Sequence, residues 1–348
     1  ITNMCEFLKV FEPNNEVTKL QEEEKSYQFP FKLDNFQEAG CNAIEKQENV
    51  LICAHTGSGK TVLAIYGIGW CLKNNKKAIY TSPTKSLSNQ KYFEFVNDFG
   101  DQTSIGIMTG DIKINADAQI VVMTTEILRN LLYKDKNLDG LNSTPLINFD
   151  DVGVIIMDEV HYINDPDRGK VWEEVLLMVR KDTTLVMLSA TLNKPEEFSS
   201  WIGNIKEKPV NLIKTSHRVV PLKHYMYIAM HDSMLDTMDN KDQKSQFLAT
   251  NNQFLEIKSK DKEFQDTLYH RVKDVKRYMD KNRVFLKRSY ALNRVVKQLQ
   301  EKEMLPAICF VFSRKGVEQC ASEISHSLIE DECTHSETVE HECKKILL

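Results

Sequence analysis

Apolar residues along this chain fall into two kinds of pattern. Short stretches rich in apolar residues occur at 50–53, 76–83, 104–110, 118–124, 152–157 and 183–188, the one at 152–157 continuously apolar. Runs of that length without alternation read as strands covered on both faces. Between them, apolar positions recur every three or four residues at 34–45, 60–68, 85–99, 126–133 and 170–180, which reads as helix. Strands alternating with helices at this spacing predict an α/β fold built on a parallel sheet. Residues 134–147 form a polar loop with Gly140 and Pro145.

The pattern changes after about Gly203. Residues 209–216 and 222–230 read as strands, and 232–262 as a polar, mobile insertion rich in Asp, Asn, Lys and Gln. Helical periodicity returns at 264–279 and 287–302, then PAICFVFS at 306–313 reads as a buried strand with a helix after it. The expected organisation is an arm over 1–28, a first domain over 29–205, and a second, partial α/β domain over 206–348.

In open parallel sheets, ligand groups collect outside the carboxyl ends of the strands. Here 54–61, 82–85, 124–125, 158–161 and 189–191 all lie at such ends. A random scatter of polar residues would not follow the topology in this way.

The stretch NVLICAHTGSGKT at 49–61 is strand, glycine-rich loop and helix start in order. Such a loop lets backbone N–H groups converge on phosphate oxygens, and the helix N-terminus adds partial positive charge. Thr56, Gly57, Ser58 and Gly59 would cradle phosphates, Lys60 would reach the β- and γ-phosphates, and the Thr61 hydroxyl would bind Mg²⁺. Ala54 stands where the usual pattern has its first glycine. Asp158 and Glu159 are adjacent carboxylates at a strand end. The first is suited to holding Mg²⁺ and the second to deprotonating an attacking water. His161 could relay the state of the γ-phosphate to Ser189-Ala190-Thr191. Phe29 could stack on a purine, and the Gln37 amide could pair with the adenine edge. Together these call for ATP and Mg²⁺.

Composition narrows the partners. Of 348 residues 41% are hydrophobic and 27% charged, and net charge is −5, so nucleic acid would need a local basic track. Candidates at the remaining strand ends are Pro83, Thr84, Lys85, Asn89, Gln90, Thr109, Gly110, Thr125, Glu126 and Arg129, then Ser313 and Arg314. Hydroxyls, amides and single cations suit backbone phosphates and carry little sequence information. No apolar run approaches the roughly 20 residues of a membrane span, and no membrane partner is expected. Eight scattered cysteines, several within apolar runs (Cys53, Cys71, Cys309), fit reduced thiols in an intracellular, soluble protein. Cys320, His326, Cys333, His335, His341 and Cys343 match no standard zinc framework.

Taken together, FPFKLDNFQ, AHTGSGKT, SPTKSLSNQK, TTEILRN, DEVHYINDPDRGKVWEE, SATL, VPLKHYMY and FVFSRK resemble the superkiller-type DEVH-box RNA helicases of superfamily two. The match runs with breaks from Phe29 to Gly316, and Ala54 is usual in that family. The resemblance implies two tandem RecA-like domains and ATP-driven 3′ to 5′ translocation on single-stranded RNA, or on a duplex with a 3′ overhang. It also implies work beside an exosome-like nuclease complex. In its terms Phe29 and Gln37 frame adenine, and Ser189 and Thr191 couple hydrolysis to strand movement. Lys85, Thr125 and Ser313 touch RNA.

The family's later Q-x-x-G-R-x-G-R string does not occur in this sequence, and Ile1 at the start reads as an excerpt. Arginine fingers are worth roughly 10³ to 10⁵ in rate. This chain alone is therefore expected to bind ATP weakly and hydrolyse it very slowly. The alternatives are a DNA helicase of the same superfamily, or a non-catalytic RNA-binding scaffold for a nuclease. Nuclear, cytoplasmic and viral settings all fit the motifs.

Overall fold

The computed structural model describes residues 6–11, 17, 21–136, 146–215, 220–231, 240–259, 262–325, 337–338, 341–342 and 344. The chain forms two compact units, Ile1–Val219 and Val220–Leu348.

The described residues of the first unit build a nine-stranded sheet. Its strands in chain order are β1 (Leu8–Phe11), β2 (Asn49–Ala54), β3 (Lys77–Ser82), β4 (Ile105–Met108), β5 (Lys113–Ile114), β6 (Ile120–Thr124), β7 (Val152–Met157), β8 (Thr184–Ser189) and β9 (Val210–Thr215). In space they run β1-β9-β2-β8-β7-β3-β6-β4-β5. All neighbours are parallel except the β4–β5 pair.

The helices are α1 (Asn35–Glu45), α2 (Thr61–Lys73), α3 (Lys85–Phe99), α4 (Thr125–Lys136), α5 (Gly169–Met178) and α6 (Pro195–Lys206). Strand side chains alternate between faces, so each apolar run feeds two cores. Val50, Ile52, Tyr80, Val154, Ile156, Val186 and Leu188 pack with Ile44, Leu63, Phe95 and Phe99 of α1, α2 and α3. Leu51, Ile79, Ile155, Met157, Leu185 and Met187 pack with Leu128, Trp172, Leu176 and Ile202 of α4, α5 and α6. Continuous apolar sequence is the mark of a sheet with helices on both faces, and the structure has that architecture.

Three expectations are corrected here. Residues 1–28 are not simply an arm, because Leu8–Phe11 pairs in register with Val210–Ile213 at the sheet edge. Four residues with one ladder carry too little periodicity to stand out in sequence. For the same reason the first unit does not end at 205: β9 lies between β1 and β2, and the unit closes at Val219. The 232–262 stretch is not an unstructured insertion throughout. Residues 232–239 and 260–261 lie outside the described residues, but helix and strand form between them.

The second unit contains β10 (His224–Met226), α7 (Lys241–Thr250), β11 (Leu255–Lys258), α8 (Asp266–Lys281), α9 (Arg288–Glu301) and α10 (Arg314–Glu323). β10 and β11 pair antiparallel. Met230, Phe247, Val275 and Met279 form a small core. The strand expected at 222–230 is only three residues long. The one expected at 306–313 is not paired among the described residues. Ile308, Phe310 and Phe312 there are 82%, 80% and 104% exposed, and Cys309 is exposed rather than buried. No helix among the described residues is long and apolar enough to cross a membrane. His326, Cys333, His335 and Cys343 lie outside the described residues, and the described ones contain no cluster of three or more His, Cys, Asp or Glu that could hold a metal ion.

Candidate nucleotide and nucleic-acid face

The order of strands sorts the candidate residues. The loop after β2, the turn after β8 and the acidic pair after β7 sit on three consecutive strands. The loops after β3, β6 and β4 follow on the next three. Register aligns the first group: Cys53 of β2 pairs with Ser189 of β8, and Met157 of β7 with Met187 of β8.

After β2 the backbone enters the left-handed region at Gly57 (φ 80°) and Gly59 (φ 85°). Both positions favour glycine, since a Cβ there is strained. A Cβ on Gly57 would meet nothing within 4 Å, so the loop leaves an open cradle, while one on Gly59 would strike Gln37 Nε2 at 2.6 Å. Thr56 and Gly57 are exposed, and Ser58, Gly59, Lys60 and Thr61 half-buried. Lys60 Nζ donates to the Ala54 carbonyl at 2.6 Å, folding back over its own loop. Burial lowers the Lys60 pKa, and the carboxylates of Glu159 and Asp158 oppose that shift.

Asp158 is held at both oxygens. Its Oδ1 accepts from the Glu159 amide at 2.9 Å, and its Oδ2 accepts from the Tyr80 hydroxyl. Tyr80 is fully buried, and burial together with Asp158 raises its pKa well above the usual value, so it stays a donor. Glu159 adopts a left-handed backbone (φ 51°), a conformation rare outside glycine. Burial, then the Asp158 charge, raises its pKa; His161 and Lys60 oppose this. A carboxylate that takes a proton more readily is better suited to be a base. His161 Nδ1 lies 3.2 Å from Glu159 Oε2.

Two buried hydroxyls near these loops, Ser58 Oγ and Ser189 Oγ, have no hydrogen-bond partner among the described residues, while Glu159 Oε2 and His161 Nδ1 face each other at 3.2 Å. Buried polar groups are rarely left unsatisfied. With an open cradle and the Asp158–Glu159 pair close to Lys60, the donor set fits a magnesium-bound triphosphate. Ala190 is half-buried and Thr191 exposed after β8.

Gln37 is tied down. Its Nε2 donates to the Gly59 carbonyl at 3.2 Å and its Oε1 accepts from the Asp34 amide at 2.9 Å, capping α1. Phe29 belongs to an aromatic cluster, with ring centroids 4.9 Å from Tyr27, 5.3 Å from Phe31 and 6.5 Å from Tyr66.

On the second group of strands, Thr84 caps α3, accepting from the Leu87 amide at 3.3 Å. Lys85 pairs with Asp111 at 2.5 Å and stands beside Gly110, whose added Cβ would lie 3.4 Å from Lys85 Nζ. The Thr109 hydroxyl accepts from the Ile112 amide at 3.2 Å. Thr125 is buried, and its hydroxyl donates to the Ser82 carbonyl at 3.4 Å. Pro83 is buried, and Arg129 lies 3.6 Å from Glu174. These residues are therefore gathered on neighbouring loops, but several already use their polar atoms. Ser313 and Arg314 belong to the second unit, where the Ser313 hydroxyl caps α10 by accepting from Gly316 N at 2.9 Å.

Sequence reasoning missed Tyr80, because a tyrosine inside an apolar run reads as core. It also missed Arg168, whose Nη2 donates to both Glu126 Oε1 and the Pro83 carbonyl at 2.5 Å. The D-x-x-R-G spacing of Asp165, Arg168 and Gly169 was the signal available.

Comparison with known proteins follows the same outline. Residues 34–198 match the family described as DEAD/DEAH box helicase. The chain is 36% identical over 297 residues to the ATP-dependent RNA helicase mtr4 of Schizosaccharomyces pombe, covering 85% of this chain and 25% of that one. It is 46% identical over 195 residues to the antiviral helicase SKI2 of Saccharomyces cerevisiae, covering 56% of this chain and 14% of that one. The chain thus spans a quarter or less of the length of these curated relatives. Among solved structures, the helicase MrfA aligns with a TM-score of 0.50 at 17% identity, covering 88% of this chain and 39% of that one. That likeness concerns the fold alone.

Proposed function

We propose, from the match of residues 34–198 to the DEAD/DEAH box helicases and from the site geometry, that the chain serves an ATP-dependent RNA helicase of superkiller type. In this reading the first unit is the RecA-like domain that binds ATP, and the second belongs to a further RecA-like domain. The protein moves 3′ to 5′ on single-stranded RNA, or on a duplex with a 3′ overhang, in RNA processing or decay beside an exosome-like nuclease.

The observation that carries the reading is the open glycine cradle next to Asp158 and Glu159, with the unpartnered hydroxyls of Ser58 and Ser189 beside it. Bound Mg²⁺ would supply a positive centre that polarises the terminal phosphate. Lys60 would exchange the Ala54 carbonyl for phosphate oxygens, and Thr61 and Asp158 would hold the metal. Glu159, with its raised pKa, takes the proton of the attacking water. Ser58 and the amides of 56–61 bind the remaining phosphate oxygens, and Gln37 and Phe29 line the adenine side. His161, Ser189, Ala190 and Thr191 pass the state of the nucleotide to the neighbouring loops. Pro83, Thr84, Lys85, Thr109, Gly110, Thr125 and Arg129, with Ser313 and Arg314 of the second unit, contact the RNA backbone.

The test is Glu159→Gln in the full-length helicase. RNA-stimulated ATP hydrolysis and unwinding should fall by at least about 100-fold, the usual worth of a general base, while ATP and RNA still bind. Unchanged RNA decay with this variant would leave only a scaffold role. A preference for DNA over RNA of the same sequence would contradict the RNA assignment.

A further inference from the structure

Arg168 has none of the roles assigned above, yet its guanidinium joins three elements. Nη2 and Nε donate to Glu126 Oε1 at 2.5 and 3.2 Å, and Nη2 donates to the Pro83 carbonyl at 2.5 Å. The guanidinium carbon lies 5.7 Å from the centre of the Tyr162 ring and 5.5 Å from that of Trp172. Those rings stack on one another at 5.6 Å. Planar stacking together with a forked set of donors is what arginine offers and lysine does not.

The backbone that carries the side chain is fixed as well. Asp165 Oδ1 accepts from the amides of Asp167 and Arg168 at 3.0 and 2.8 Å. Gly169 packs so closely that a Cβ would lie 2.2 Å from the Ile163 carbonyl oxygen.

Glu126 is what makes this contact more than a brace. It is the acidic residue in the first turn of α4, between Thr125 and Arg129. A helix N-terminus favours a carboxylate, but a carboxylate on a face that receives phosphates repels them. The nearby cations Lys85 and Arg129 are themselves paired, with Asp111 and Glu174. The charge balance of this face therefore depends strongly on whether Glu126 is neutralised.

We propose that the Arg168–Glu126 pair sets the affinity of this face for single-stranded RNA. Arg168 is a positioning residue: it cancels the Glu126 charge and locks the Pro83 loop and the first turn of α4 into one phosphate-receiving surface. The inference rests on the RNA reading above.

The experiment measures binding of a fluorescent oligouridine to the 348-residue chain at low and high salt, for wild type, Arg168→Gln, Glu126→Gln and the double variant. Circular dichroism checks folding of each. At low salt, Arg168→Gln should weaken binding about five- to tenfold, and Glu126→Gln should tighten it about two- to threefold. The double variant should return to within about twofold of wild type, and these differences should shrink at high salt. A merely structural pair predicts instead that Glu126→Gln weakens binding or leaves it unchanged. That result, or a double variant as weak as Arg168→Gln, overturns the inference while RNA binding by wild type stands. If wild type binds no RNA at low salt, the RNA reading and this inference fall together. Should Arg168→Gln not fold, Glu126→Gln alone decides, since tightening supports the charge argument and any other outcome contradicts it.

Discussion

Asp158 follows β7 with one carboxylate oxygen on the Glu159 amide and the other on the Tyr80 hydroxyl. Groups behind a metal ligand orient it, and losing one typically costs 10- to 100-fold in metal affinity. Tyr80→Phe keeps the buried ring and deletes one donor to a charged acceptor, so stability should fall by about 1–3 kcal/mol. The Mg²⁺ concentration needed for half-maximal binding of a fluorescent ATP analogue should rise about tenfold. An unchanged Mg²⁺ midpoint would show that the phenol only fills space. At this scale legibility followed locality. Lys60, Thr61 and the glycines are contiguous with their strand and helix, so spacing alone exposed them. The Tyr80 and Asp158 partners lie 78 positions apart, and no local pattern links them. Gln37 shows the converse: its sequence position suggested only an adenine contact, and gave no sign that its amide is bonded at both ends.

Among elements, the turn between β7 and α5 has tight local requirements. Gly169 has no room for a methyl group, because the atom it would strike is the Ile163 backbone oxygen at 2.2 Å. Gly169→Ala must shift that turn and, with it, Arg168. The expected cost is about 1–3 kcal/mol in a denaturant titration, with RNA binding weakened in parallel. Wild-type stability would mean that the turn yields freely. Buried strands β2, β3, β6, β7 and β8 were legible because helices on both faces demand unbroken apolar sequence. β1 was not, since its identity depends on β9, about two hundred residues away. The 306–313 segment fails in the opposite direction. Its sequence is that of a buried strand, but a strand needs neighbours, and Ile308, Phe310 and Phe312 find none among the described residues.

For the whole first unit, sheet order is the organising fact. The proposed phosphate contacts follow β2, β8 and β7, and the proposed RNA contacts follow β3, β6 and β4, with Arg168 linking the turn after β7 to the loops beyond it. Sequence could show that all these residues lie at strand ends. It could not show the spatial order, because crossovers place β8 beside β2 although they are more than a hundred residues apart. Hydrogen exchange measured by mass spectrometry on the 348-residue chain tests this division most directly. With Mg²⁺ and a non-hydrolysable ATP analogue, protection should concentrate in 54–61, 158–161 and 189–191. With oligouridine alone it should concentrate in 83–85, 109–110 and 125–129. Protection of one common set by both ligands, or the two footprints exchanged, would contradict the account.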